Sequence, residues 1–210
     1  ARSKLSDVRK RMEFIYSNAY FFQGLGIGNP WSWGHGWGRW SYILGPNISS
    51  FIQGKKILDL GSNFGILPLY MLRSGAKKVK GYELGETESS ICPIYKEILE
   101  WRDDKSYEFE INNKNMTEVM SEENENYDLV TAFCSIYYLD ENEIDELLKW
   151  TFDKIGMIVI ESNEESAVEN RQDLAQIDFL ENKAKKIGFK IIHKSDRTEK
   201  YPRPLFIASK

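Results

Sequence analysis

From residue 55 to the end of the chain, short apolar runs alternate with longer stretches in which apolar residues recur every three or four positions. Runs such as 56–60 and 156–160 have the length and apolar character of buried strands. The pattern predicts strands at 56–60, 79–83, 107–111, 127–133, 156–160, 189–193 and 205–208, and helices at 66–73, 87–101, 141–152 and 166–187. Such alternation is typical of βα units around a mainly parallel sheet, so we expect one α/β domain over residues 55–210.

The first 54 residues follow a different pattern. Residues 6–22 carry an apolar stripe that predicts an amphipathic helix, and four of the six tryptophans fall within residues 31–40. Glycine at alternating positions of that segment disfavours helix and strand, yet linkers do not carry so much aromatic surface. We therefore expect residues 1–54 to form a helical, Trp-rich lid extension, with residues 40–51 leading as a helix into the first strand.

Composition and charge narrow the classes of function. The 210 residues suffice for one ordinary domain, and the net charge of −4 weighs against a protein that grips a long nucleic-acid backbone. The Lys- and Arg-rich stretch 183–210 nevertheless keeps a local basic patch open. No apolar run reaches the ~20 residues of a membrane span, so no membrane partner is expected. With two histidines and no CxxC spacing between Cys92 and Cys134, we expect no metal site and reduced thiols in a cytoplasmic protein.

The strongest motif lies where the first predicted strand ends. The sequence Asp59-Leu-Gly61-Ser-Asn-Phe-Gly65 places two glycines in the turn between a strand and a helix. Without Cβ atoms, the backbone there can approach a ligand closely and expose its amide groups. Glu83 ends the next strand, 24 residues after Asp59, where a carboxylate can accept hydrogen bonds from ribose hydroxyls. Together these features predict an adenosine site at the carboxyl edge of the sheet.

The turn lacks both common phosphate-binding signatures. A nicotinamide dinucleotide fingerprint requires Gly-x-Gly-x-x-Gly, whose middle glycine makes room for a pyrophosphate, but position 63 is asparagine. A Walker A loop requires Lys after its last glycine, whereas Gly65 is followed by Ile66. The turn therefore has neither phosphate cradle, and a nicotinamide oxidoreductase is left as an outside alternative.

Residues 55–210 resemble the class I S-adenosylmethionine-dependent methyltransferases. The likeness rests on the Asp59–Gly65 motif, on Glu83, on the strand and turn 127–135, and on the final segment 203–209. It implies a Rossmann-like, seven-stranded, mainly parallel sheet with an antiparallel C-terminal hairpin and helices on both faces. More narrowly, Trp37-x-Arg-Trp40 and the segment 74–81 are similar to the tRNA wobble-uridine carboxymethyltransferase branch.

The resemblance also implies roles for individual residues. Asp59 would orient the turn from beneath, Glu83 would bind the ribose, and Leu84 would border the adenine. The adenine amine would meet Asn115 with Met116, or alternatively Asn112 or Asn113. The turn residues that would face the methionine part of S-adenosylmethionine are Gly61, Ser62, Asn63 and Gly65. Phe133, with the two residues that follow it, would line the point of methyl transfer.

Several side chains are candidates for work on the acceptor. His35 could act as a general base, because imidazole titrates near neutral pH, or could pack among the tryptophans. Tyr137 and Tyr138 follow the fourth strand, where residues that face the substrate are expected. Glu161, at the end of the fifth strand, could orient an acceptor or could be a solvated carboxylate.

The Trp-rich segment offers a second group of candidates for acceptor binding. Trp33 and Trp37 could stack on a planar acceptor or hold a cation, or could pin the N-terminal helix over the cofactor. Arg39 could pair with a carboxylate or phosphate of the acceptor, or could be a surface or cap residue.

The function expected from these features is methyl transfer from S-adenosylmethionine to an oxygen or nitrogen of a small molecule. Modest size and acidic charge favour a small-molecule acceptor. An RNA methyltransferase or carboxymethyltransferase remains an alternative, since tryptophans and basic residues can bind RNA. A non-catalytic cofactor-binding partner of an active subunit is a third hypothesis. The sequence does not indicate an oligomeric state.

Overall fold

In the computed structural model, residues 39–163, 173–196 and 203–210 are described. Seven strands form one sheet: β1 Lys56–Leu60, β2 Lys78–Tyr82, β3 Phe109–Asn112, β4 Leu129–Phe133, β5 Met157–Glu161, β6 Lys190–Ser195 and β7 Leu205–Ser209. The α-helices in these ranges are α1 Gly45–Ile52, α2 Ile66–Arg73, α3 Glu86–Asp103, α4 Val119–Glu122, α5 Glu141–Lys154 and α6 Ile177–Ile187. A π-helical turn, Trp40–Leu44, leads into α1, and short 3₁₀ turns occupy Met116–Glu118 and Ile136–Tyr138.

The strands lie in the order β3-β2-β1-β4-β5-β7-β6. The first five are parallel, and β7 runs antiparallel between β5 and β6. This arrangement confirms the predicted seven-stranded sheet with an antiparallel C-terminal hairpin. Strand order reverses between β1 and β4, and in open α/β sheets ligands bind in the crevice at the carboxyl ends of such strands.

The core has two halves, one on each face of the sheet. Successive residues of β1 point to opposite faces, so Ile57 packs with the first half while Leu58 and Leu60 pack with the second. Helices α1, α2 and α3 cover the first face, and α5 and α6 cover the second. The predicted stripe of α5 is buried as expected, and its members are Ile144, Leu147, Leu148 and Thr151.

The segment before β1 is part of this core. Trp40 stacks on Tyr70 of α2 with ring centroids 6.1 Å apart, and Leu44, Ile48 and Ile52 are fully buried. The predicted helix over 40–51 is thus present as the π-helical turn followed by α1. Residues 40–52 therefore contribute to the same core as the sheet. The predicted helix at 6–22 and residues 31–38 lie outside the described residues.

One predicted helix is wrong in extent. A single helix was expected over 166–187, but residues 173–175 form a turn and α6 begins at Ile177. Its buried stripe includes Ile177, Leu180 and Ala184, which face α5 and the sheet. Residues 166–176 are mostly good helix formers and include no Pro or Gly. The sequence therefore contains no local signal for the start of α6 at Ile177. Residues 166–172 lie outside the described ranges.

The turn between β1 and α2 depends on glycine for packing. Gly65 is the N-cap of α2 and has φ +75°, which is left-handed backbone. A Cβ atom built there would lie 2.8 Å from Sγ of Cys92 and 2.9 Å from Cε1 of Phe109. Both neighbours belong to the core, so they have little room to yield.

No described helix is both long and apolar enough to cross a bilayer.

We predict that Gly65→Ala lowers the free energy of unfolding by about 2–5 kcal/mol, because left-handed strain and overpacking add. Urea unfolding followed by circular dichroism measures this loss. Gly54→Ala is the matched control: Gly54 has φ +68° but no atom within 4 Å of an added Cβ. It should cost only the strain, about 1–2 kcal/mol. Equal losses in the two variants would contradict the packing argument.

Candidate active site

A cavity of about 740 Å³ lies at the carboxyl ends of β1, β2, β4 and β5. This volume falls in the range of small-molecule sites. The residues that line it are far apart in the sequence, from Arg39 to Arg203. The predicted site residues that line it are Arg39, Asp59, Gly61, Ser62, Asn63, Glu83, Leu84, Asn115, Met116, Phe133, Tyr137 and Tyr138.

Other predicted site residues are placed differently. Gly65 and Glu161 are not among the residues that line the cavity. Gly65 faces Cys92 and Phe109 as described above, so packing alone already requires a glycine here, and its role toward the cofactor stays a prediction. His35, Trp33 and Trp37 lie outside the described residues.

Gly61 brings the end of β1 close to the end of β4. Its φ is +77°, and an added Cβ would lie 2.4 Å from Cβ of Ser135. The Ser135 hydroxyl donates a hydrogen bond to the carbonyl of Leu60, which joins the two strand ends. Gly61 and Ser135 both line the cavity, so this close contact shapes its floor.

The amides of the turn are not free for a ligand. The N–H groups of Gly61 and Ser62 donate to the carbonyl of Tyr82, and that of Gly65 donates to the carbonyl of Ser62. The amide of Asn63 donates to Glu83, and the amide of Phe64 to Oδ1 of Asn63. The expectation of exposed amides is therefore wrong. With its donors engaged, the turn suits a ligand's cationic or donor groups better than a phosphate.

Glu83 joins the turn to the end of β2. Its Oε2 accepts from the amide of Asn63 at 2.7 Å, and its Oε1 accepts from the amide of Gly85 at 2.8 Å. These bonds hold the carboxylate at the rim of the cavity. Each carboxylate oxygen has two lone pairs, so both can still accept from a diol.

The neighbouring loop supplies an apolar and amide surface. The side-chain amide of Asn113 donates to the carbonyls of Glu83 and Leu84, at 3.0 Å each, and so fixes the backbone there. Leu84 lines the cavity although it is 69% exposed. Oδ1 of Asn115 caps the next turn by accepting from the amide of Thr117 at 3.1 Å. Its carbonyl oxygen thus has one local partner already.

Asp59 is a buried carboxylate beneath the turn. Its Oδ1 accepts from the hydroxyl of Thr131 at 2.6 Å, and Ser62 donates to its backbone carbonyl at 3.0 Å. Burial raises the pKa of Asp59 from 3.8 to about 6, although the Thr131 bond and the charge of Arg39 act in the opposite direction. Asp59 therefore carries a negative charge at neutral pH at a cost to stability.

A buried ion pair lies behind the far end of the cavity. Nε of Arg39 donates to Oε1 of Glu161 at 3.1 Å, and its Nη2 pairs with the other carboxylate oxygen. Glu161 is fully buried and Arg39 is 8% exposed. The alternatives of a solvated carboxylate for Glu161 and a surface residue for Arg39 are therefore wrong. Sγ of Cys134 also donates to Oε2 of Glu161 at 3.2 Å.

The same end contains polar residues that the sequence did not single out. Asn163 donates from its amide to the hydroxyl of Tyr137 at 2.9 Å, and Arg203 lines the cavity beside them. Asn163 comes two residues after the end of β5, so its strand-end position was the available signal. Arg203 lies between two prolines outside any predicted element, and no sequence pattern pointed to it. Within the described ranges, no cluster of three His, Cys, Asp or Glu side chains could hold a metal ion.

No protein-family model and no curated protein sequence matches the chain. Solved structures do. The magnesium protoporphyrin IX methyltransferase of Synechocystis PCC 6803, determined with bound S-adenosylmethionine, is 13% identical with a TM-score of 0.59 over 77% of this chain and 72% of its own. The bifunctional kinase–methyltransferase WbdD is 19% identical with a TM-score of 0.62; the match covers 87% of this chain but only 42% of WbdD.

A candidate RNA methyltransferase from Pyrococcus horikoshii is also similar, at 19% identity and a TM-score of 0.55 over 78% of this chain and 79% of its own. These proteins share a fold and differ in the acceptors or accompanying activities that their names give. At such low identities the likeness concerns architecture. The chain has the class I, Rossmann-like fold of S-adenosylmethionine-dependent methyltransferases.

We predict that Asp59→Asn stabilises the protein increasingly as pH rises from 4 to 7. The folded-state pKa of about 6 lies above the ordinary 3.8, so the folded wild type binds its proton more tightly and loses stability as pH rises through this window. The asparagine stays neutral and can still accept from Thr131. The gap between the unfolding free energies of variant and wild type should widen by about 3 kcal/mol at most.

Urea unfolding at pH 4, 5, 6 and 7 measures that gap. Asp153→Asn, which replaces an exposed carboxylate at the end of α5, is the control for loss of a carboxylate that is not buried. If the Asp59→Asn gap widens no more than that of the control, the buried carboxylate is not the titrating group.

Proposed function

We propose that the chain is an S-adenosylmethionine-dependent methyltransferase that acts on an oxygen or nitrogen of a small molecule by in-line methyl transfer. The single observation that carries the proposal is the Glu83 carboxylate, bonded to the glycine turn and facing the same cavity as Tyr137 and Asn163. One end of that cavity thus suits a nucleoside, and the other end can hold an acceptor.

The residues present suit this cofactor. Glu83 offers two carboxylate oxygens to a ribose diol, and Leu84 and Met116 offer apolar surface to an adenine ring. The glycine turn has its amides engaged internally, so it suits the cationic methionine part better than a phosphate. When bound, S-adenosylmethionine supplies a methyl group already activated by a positively charged sulfonium.

Residues at the carboxyl end of β4 would align the reacting atoms. Phe133, Cys134 and Ser135 line the cavity between the turn and the polar far end. These residues would hold an acceptor lone pair in line with the methyl group that bound S-adenosylmethionine would supply, and the electron pair of the broken carbon–sulfur bond would stay on sulfur. Alignment and exclusion of water provide most of the rate gain, because the donor is activated in advance.

Tyr137 acts as a hydrogen-bond donor and not as a base. Burial raises the pKa of its hydroxyl far above the ordinary value of 10, so it stays protonated at neutral pH. Asn163 donates to the Tyr137 oxygen and holds the ring in place. A base is needed only where the acceptor carries a proton of high pKa, and His35 remains our proposal for that role.

Two described lysines near the C-terminus are neutralised by carboxylates, which favours a small acceptor over RNA. Lys183 pairs with Glu141 at 2.6 Å and with Asp145 at 2.7 Å, and Lys194 pairs with Glu181 at 2.8 Å. Lysines neutralised in this way add little to the binding of a phosphate backbone. RNA methylation and a non-catalytic cofactor-binding role are the two alternatives that the labelling experiment with S-adenosylmethionine distinguishes.

We predict that Glu83→Gln weakens S-adenosylmethionine binding by roughly 10- to 100-fold, because neutral amides make weaker hydrogen bonds than a carboxylate to the two ribose hydroxyls. Isothermal titration calorimetry measures the dissociation constant. Glu86→Gln removes an exposed charge three residues away and should bind as wild type does. Unchanged affinity in Glu83→Gln, with thermal unfolding showing a folded protein, would exclude the proposed nucleoside site.

We predict that tritium from methyl-labelled S-adenosylmethionine enters a cell extract fraction below 3 kDa.

Tyr137→Phe should slow methyl transfer about 10-fold or more with donor affinity unchanged, because a buried hydrogen bond to the acceptor is lost. Tyr138→Phe, at a residue 54% exposed, should lose less. Label that disappears with ribonuclease would instead identify an RNA acceptor. Donor binding with no label in any fraction would favour the non-catalytic role.

A further inference from the structure

Arg203 reaches the cavity because of the antiparallel pairing of β7. Leu205 pairs with Glu161 at the end of β5, and the amide of Ser162 donates to the carbonyl of Pro204 at 2.9 Å. These contacts fix the residues just before β7 beside the residues just after β5. Arg203 therefore lies next to Asn163 at the carboxyl edge of the sheet, and both line the cavity.

Three hydrogen-bonding side chains meet in this corner. Asn163 donates to the hydroxyl of Tyr137 at 2.9 Å. Burial is the main cause of the raised pKa of Tyr137, and the positive charge of Arg203 acts in the opposite direction, as expected for a nearby cation. A guanidinium and a protonated phenol together form a donor-rich surface.

The charges around the cavity are unevenly distributed. Asp59, Glu83 and Glu88 line the cavity near β1 and β2. At the other end, Arg39 is neutralised by Glu161. Among the described residues no carboxylate pairs with Arg203, whose side chain is partly exposed to the cavity. The acceptor end therefore carries a positive charge without a protein counter-ion in the described part of the chain.

We propose that Arg203 binds an anionic group of the acceptor, a carboxylate or a phosphate, beside Tyr137 and Asn163. This inference rests on the proposed function, since it identifies the substrate class of that site. The planar guanidinium can donate two parallel hydrogen bonds to either anion, which fixes orientation as well as position. The acceptor is thus a small anionic molecule whose charged group is held apart from its reacting atom.

Anion binding can be tested without turnover. Acetate and inorganic phosphate are titrated separately into the full chain at constant ionic strength, with and without S-adenosylhomocysteine. The arginine Nε–H resonances are followed by NMR, and Arg203→Gln identifies the signal. We expect a saturable shift of the Arg203 resonance. The acetate and phosphate arms show which anion is preferred. A resonance that does not shift saturably with either anion would overturn the inference.

Transfer of tritiated methyl groups to the small-molecule extract gives the second measurement. Anion exchange separates the extract into retained and unretained pools. Arg203→Gln should reduce labelling of the retained pool on the order of tenfold, with the donor dissociation constant unchanged. Lys190→Gln, which removes an exposed charge on β6, should label as wild type. Labelling confined to the unretained pool, or unaffected by Arg203→Gln, would refute the role of Arg203.

The two proposals fail in different ways. If the donor does not bind, the proposed function fails, while the anion titration still reports on Arg203. If the donor binds and a neutral molecule is methylated, the proposed function stands and the anionic acceptor is excluded.

Discussion

The Glu83 carboxylate, bonded to the Asn63 and Gly85 amides, is the interaction on which the arrangement of the site depends. It connects the turn after β1 to the loop after β2, two segments that meet only because their parallel strands end at the same edge. It adds to the backbone bonds from Gly61 and Ser62 to the carbonyl of Tyr82, and it is the side-chain contact that ties Asn63, at the tip of the turn, to the loop. The same carboxylate forms part of the cavity wall, so the group that organises the site also faces any ligand within it.

Asp59 illustrates a conflict between stability and binding at the same edge. A fully buried carboxylate is unfavourable, and one hydrogen bond from Thr131 does not offset its desolvation. Proteins tolerate such groups where function requires them, since optimal stability and optimal binding seldom coincide. The negative charge beneath the turn is suited to the positive charge of a sulfonium donor, which the proposed function would place above it.

Elements with strong periodicity could be predicted from the sequence, and contacts between distant segments could not. The strands from β1 to β5 and the buried stripe of α5 follow from alternation and helical spacing. The residues proposed for the cofactor end could be named from the sequence because most of them come from one contiguous motif and one strand end. The Arg39–Glu161 pair joins residues 122 positions apart, and only the folded sheet brings them together. A glycine at position 65 was expected to make room for a ligand, whereas the structure shows that it makes room for Cys92 and Phe109.

The reversed direction of β7 has a consequence for how such a protein can diversify. Residues toward the end of the chain return to the cavity on the side opposite Glu83, so the two halves of the sheet serve different parts of the cavity. Under the proposed function, mutations in the segment before β7 would alter selectivity for the acceptor while the half of the sheet that holds Glu83 keeps its sequence. A lineage that shares this architecture would then acquire new substrates through changes at a few positions just before its last strand.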